Sequence, residues 1–82
     1  MRWFGTNYAD ERLVIEAESA LAEDVVLNDI GGLGVTSNKG IVSLIGTVNS
    51  ERERNHAEDA VRNALQRASL KHEQIVNNLA IR

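Results

Sequence analysis

The sequence predicts an α+β fold of order αββαβ, a two-layer sandwich with a three-stranded mixed sheet and two helices packed on one face. Three observations predict it. Turn chemistry at Asn38-Lys39-Gly40 precedes an alternating run from Ile41 to Val48, which reads as the second arm of a hairpin. Two apolar stripes at helical spacing, Leu13 to Leu21 and Ala57 to Ala68, flank that hairpin. A further alternating run, Ile75 to Ile81, follows the second stripe as a third strand.

The 82 residues allow one domain, and a chain this short buries only about 60% of its unfolded surface. The organisation expected is an N-terminal aromatic extension over 1–9 and a single domain over 10–82. There is no cysteine, hence no disulfide, thiolate nucleophile or zinc–sulfur site, and no proline. A net charge of −3 argues against nucleic acid as a partner, which demands a basic surface. No run approaches the length of a membrane span. Residues 1–8 lack the apolar core of a complete signal peptide. The expected location is cytoplasmic if Met1 is the native start, and periplasm or envelope if a leader has been removed.

Each element has a local cause. Asp10 is read as the N-cap of the first helix. Leu13, Val14, Ala17, Ala20 and Leu21 then share one stripe, with Ile15 opposite and exposed. The outer face is acidic, with Asp10, Glu11, Glu16, Glu18, Glu23 and Asp24 against Arg12 alone. Val25 to Asp29 is a loop, and the first strand runs over 30–37, with Leu33 and Val35 inward. Its glycines 31, 32 and 34 suggest a bulge or a close backbone approach. Val42, Leu44, Gly46 and Val48 point inward from the second strand, and the glycine at 46 is expected where a helix crosses closely. Ile41, Ser43, Ile45 and Thr47 point outward. Ser50 and Glu53 form a capping box that opens the second helix. Glu58 and Arg62 make a favourable pair one turn apart. Where this helix ends, between Ala68 and Glu73, stays open. Asn77 is the one inward polar residue of the third strand. It is expected to cap a backbone gap at the turn after the second helix.

Chemistry-bearing motifs are weak. Gly31-Gly32-Leu33-Gly34 fits the G-x-x-G clamp of nucleic-acid modules, but a strand follows and no basic residue flanks it. Glu53 and His56 have the E-x-x-H spacing of di-iron sites, without the second motif and further carboxylates such a site needs. The serines are scattered, with no histidine beside them in the expected layout. No catalytic, cofactor-binding or metal residues are therefore assigned, and no enzymatic activity is expected.

From Asp10 to Ile81 the chain resembles a BON domain, the αββαβ module named after bacterial osmotic-stress and nodulation proteins. Asp10, Leu13, Ala17, Ala20, Leu21 and Asp24 carry the resemblance in the first helix. The run Asn38 to Val48 matches the family's G-v-V-x-L-x-G-x-V, and Ile75, Asn77, Leu79 and Ile81 match V-x-N-x-L-x-V. Ser50, Glu53, Ala57 and Ala60 fit between them. The glycines at 31, 32 and 34 depart from the pattern, as does the absence of a Gly-Val turn after the second helix. The resemblance implies a non-catalytic bacterial binding module. Such a module acts at the envelope or in osmotic and stress responses, through phospholipid, cation or protein. The same layout also resembles the ring-building domains of secretion systems, so a structural oligomerisation module is the alternative.

The resemblance supplies no functional residues. The candidate interaction surface comes from exposure and chemistry instead. Trp3, Phe4 and Tyr8 are all the aromatics of the chain, and Ile41 and Ile45 lie on the sheet face away from both helices. The expectation is one apolar patch that is covered by the aromatics, pairs copies of the chain, or docks on lipid. The acidic first helix disfavours an anionic membrane.

Overall fold

The computed structural model describes residues 8–28 and 30–82, and Trp3 and Phe4 lie outside them. The elements run α1 (Asp10–Glu23), β1 (Gly34–Asn38), β2 (Ile41–Val48), α2 (Glu51–Arg67) and β3 (Gln74–Ile81). The sheet has the order β1-β2-β3. β1 pairs antiparallel with β2, from Asn38 opposite Ile41 to Gly34 opposite Ile45. β3 pairs parallel with β2, from Ile41 opposite Gln74 to Val48 opposite Ile81. The parallel pair needs a crossover, and α2 supplies it. The sheet is thus mixed, and the fold is α+β.

The core gathers the inward strand residues Val35, Val42, Leu44, Val48 and Leu79 with Leu13, Ala17 and Leu21 of α1 and Ala57, Val61 and Leu65 of α2. Val42, Leu44 and Val48 are fully buried, as the alternation predicts. Ile15 is exposed on the far side of α1. Leu27 joins the core from the loop after α1, which the sequence left as a simple connection. Ile81, expected inward, is nearly half exposed at the end of β3.

Several local expectations change. Asp10 is not the N-cap of α1 but its first residue; Ala9 holds the cap position without a side-chain bond. The Asp10 carboxylate is turned to the hairpin instead. β1 starts at Gly34 rather than Ile30, because Gly31 and Gly32 form a turn. The chain that passes Gly46 is that turn, not a helix. Gly46 has φ +130°, and a Cβ there would lie 2.7 Å from the Gly32 carbonyl oxygen and 3.1 Å from Leu33 Cα. Glycine is required twice over, by conformation and by space.

The ends of α2 are tightly specified. Ser50 Oγ accepts the Glu53 amide at 3.2 Å, and the Glu53 carboxylate reaches back to the Asn49 amide at 2.8 Å. At the other end Leu70 N donates to Leu65 O and Ser69 N to Gln66 O. This is a Schellman motif with Ser69 at φ 57°, where glycine is usual. Helix 2 therefore stops at Arg67 without the family's glycine.

Candidate functional site

The expected surface residues separate in the structure. Tyr8 packs at the edge of the core over Gly40, where an added Cβ would come within 2.6 Å of the ring. Its hydroxyl donates to the Glu73 carboxylate at 2.7 Å. Ile41 and Ile45 stay outward on β2, 37% and 45% exposed. Ile45 leans across the sheet, its Cγ1 3.1 Å from where a Gly34 Cβ would stand.

The strand registers fix what surrounds the two isoleucines. Row by row, the outward positions are Asn38, Ile41 and Gln74; then Thr36, Ser43 and Val76; then Gly34, Ile45 and Asn78; and finally Thr47 and Ala80. None carries a charge, in a chain that is 26% charged. The charges sit on the helices instead, among them the exposed Glu11, Arg12, Glu18 and Glu23 of α1 and Glu51, Arg52, Asp59 and Arg67 of α2. An uncharged face with two exposed isoleucines is the molecule's most distinctive surface among the described residues.

Three polar clusters tie the elements that hold this face. At the first, Asp10 Oδ1 accepts from Ser37 Oγ at 2.7 Å and from Gly40 N at 2.9 Å, while Oδ2 accepts from Lys39 N at 2.9 Å. Lys39 and Gly40 both have positive φ, 52° and 85°, which makes the two-residue turn of type I′. Lysine tolerates that conformation poorly, and the carboxylate offsets the cost by gripping both turn amides. These bonds, with Gly40 first and Ser37 next, hold the Asp10 carboxyl below the usual carboxylate range.

At the far end of α1, Asp24 accepts the Val26 amide at 2.8 Å and faces His56 Nε2 of α2 at 2.8 Å. Burial pushes the Asp24 carboxyl up, but the Val26 amide and His56 outweigh it and the net direction is down. His56, which the sequence gives no metal role, is half-exposed and engaged in a bridge between helices. Its E-x-x-H partner Glu53 serves the helix cap, so the two side chains have separate duties. Among the described residues no three His, Asp or Glu side chains converge to hold a metal ion.

The third cluster is built on Asn77. Its Nδ2 donates to the Arg54 carbonyl at 2.9 Å and to the Glu58 carboxylate at 3.2 Å, and its Oδ1 accepts the Leu79 amide at 3.2 Å. Asn77 does cap backbone, but in the first turns of α2 rather than at the turn after it. Glu58 also pairs with Arg62, the expected contact one turn on. Burial raises the Glu58 carboxyl, and Arg62 and Asn77 together pull it below its ordinary value.

Sequence reasoning missed the partners of Asp10 and Asp24. A signal for Asp24 was present: Asp followed two residues later by a chain reversal is an Asx-turn pattern. Asp10 had none, because its partners lie 27 to 30 residues away.

Comparison with family models matches residues 9–69 to the BON domain, from the residue before α1 to the end of the turn after α2. A search of curated proteins gives no match. No described helix is long and apolar enough to cross a membrane.

Proposed function

The chain belongs to the BON domain family, and on that premise we propose that it is a non-catalytic bacterial binding module that docks protein through the outer face of its sheet. The observation that carries this reading is the absence of charge across that face, with Ile41 and Ile45 exposed in its middle. An apolar, uncharged face suits a protein surface of the same character. A basic nucleic-acid groove or an anionic headgroup layer would call for cations there. The acidic side of α1 adds repulsion toward an anionic membrane. A second copy of the chain meets the requirement, since pairing through this face keeps the charged α1 helices apart. The N-terminal aromatics Trp3 and Phe4 are proposed to extend the patch. In the setting usual to the family, such docking serves the bacterial envelope or a stress response.

Size sets the strength. A three-stranded face with strands of five, eight and eight residues offers roughly 350 Å², against about 800 Å² per partner in a stable complex. The association is therefore weak and reversible. Sedimentation velocity over a concentration series tests it, with vesicles of neutral and anionic phospholipid as the competing target. The expected result is a mass that rises with concentration, is insensitive to salt, and is unchanged by vesicles. A strict monomer that co-sediments with anionic vesicles, less so as salt rises, would contradict the reading in favour of lipid.

A further inference from the structure

We infer that Arg54 and Asn77 close the open edge of β3 to strand addition, and that the strand they exclude is β3 of a second copy. β3 has β2 on one side and, among the described residues, no strand on the other. It runs for eight residues with neither charge nor proline. Edges of that kind recruit further strands unless something blocks them.

The ladder shows which backbone groups face the opening. Gln74 and Arg82 donate to the Gly40 and Val48 carbonyls of the β2 side. Backbone groups alternate in direction along a strand. Val76, Asn78 and Ala80 therefore also face β2, and Ile75, Asn77, Leu79 and Ile81 present their N–H and C=O groups to the open edge. The middle of that edge is already occupied. The Leu79 N–H donates to Asn77 Oδ1 at 3.2 Å, and the Asn77 carbonyl accepts from the Arg54 guanidinium at 3.4 Å. Asn77 is held in this pose by the Arg54 carbonyl and by Glu58. An incoming strand would have to displace both side chains to reach two adjacent edge groups.

A second β3 is the partner best matched to the exposed ladder. Antiparallel pairing about Asn77 sets Ile75 of one chain opposite Leu79 of the other on the inward face. The strand is thus self-complementary in apolar contact, and the Arg54–Asn77 plug is what keeps the edges apart. This inference is independent of docking through the outer face.

Asn77→Val tests it, because valine suits a strand and removes the side-chain acceptor that covers the Leu79 N–H; the Arg54 guanidinium, which sits on the backbone carbonyl of residue 77, is removed separately by Arg54→Ala. The expected result in sedimentation velocity is a folded variant whose mean mass at least doubles as concentration rises. Adding Ile81→Pro should restore the mass of the parent protein, since the Ile81 N–H faces the edge and contributes no bond to β2. Adding Ile45→Lys should not restore it, which separates this association from docking through the outer face. Arg54→Ala provides the second variant if Asn77→Val does not fold. In the parent protein the Leu79 amide should exchange with solvent about fivefold or more slowly than those of Ile75 and Ile81. Folded variants that keep the parental mass at every concentration would overturn the inference. So would a Leu79 amide as fast as its edge neighbours.

Discussion

The two faces of β2 obey different rules. Inward, Val42, Leu44 and Val48 are fully buried and Gly46 lies against the Gly32 carbonyl, so every position is constrained by volume. Outward, Ile41, Ser43, Ile45 and Thr47 meet no layer among the described residues, and Ile45 is nearly half exposed. One strand thus carries a structural code on its even positions, while its odd ones are free of the core and form the face proposed for docking. A residue change on one face reports on folding; the same change on the other tests the proposed docking.

Substitutions on the two faces should therefore differ in size and in kind. Gly46→Val should be the most damaging. It forces a β-branched residue to φ +130° and places its Cβ 2.7 Å from a backbone oxygen. Backbone strain and overpacking together cost about 3 kcal/mol or more, read as a large loss in chemical denaturation or failure to fold. Leu44→Ala leaves a cavity at a fully buried site and should cost about 2–4 kcal/mol in the same measurement.

Asp10→Asn acts at the hairpin turn, on the inward side, and its effect depends on pH. The folded-state carboxyl lies below its unfolded value, so the stability it contributes is present above the ordinary carboxylate range and is lost as pH falls through the folded value. The parent should therefore lose stability on acidification below about pH 4 more steeply than the variant. Asp24 and Glu58 have the same sign and preserve part of that slope in Asp10→Asn. Parallel acid curves for the two proteins would remove Asp10 from the account of the turn. Ile45→Val is the mildest change, removing one methylene from a half-exposed side chain. A cost under about 1 kcal/mol is expected, and melting temperatures equal for Ile45→Val and Gly46→Val would erase the distinction between the faces.

Much of this frame was legible in the sequence, and the limits have physical causes. Periodicity is a local signal, so the helices, the three strands and the two faces of β2 followed from it directly. The capping box at Ser50 and the Glu58–Arg62 pair are also local, and both hold. What failed were contacts across long separations. Asp10 looked like a cap because aspartate before an apolar stripe usually is one, yet its carboxylate serves a turn on the next element. Gly46 was rightly read as a point of close approach, but the approaching chain is the Gly32–Leu33 turn, and no pattern names the partner. Helix 2 ends at a serine in the left-handed region, a conformation that glycine would have announced. The proposed docking face is legible only in part, because Ile41 and Ile45 show their alternation while the absence of charge around them needs the register of all three strands.

The docking account is tested most directly by a matched pair of charge insertions. Ile15 on α1 is 60% exposed and Ile45 on β2 is 45% exposed, so exposure alone favours Ile15 as a sticky side chain. Ile15→Lys and Ile45→Lys should each fold with near-parental stability. In concentration-dependent sedimentation, Ile45→Lys should become a monomer throughout while Ile15→Lys keeps the association of the parent. If the two variants behave alike, or Ile15→Lys alone dissociates, the outer sheet face is not the docking surface.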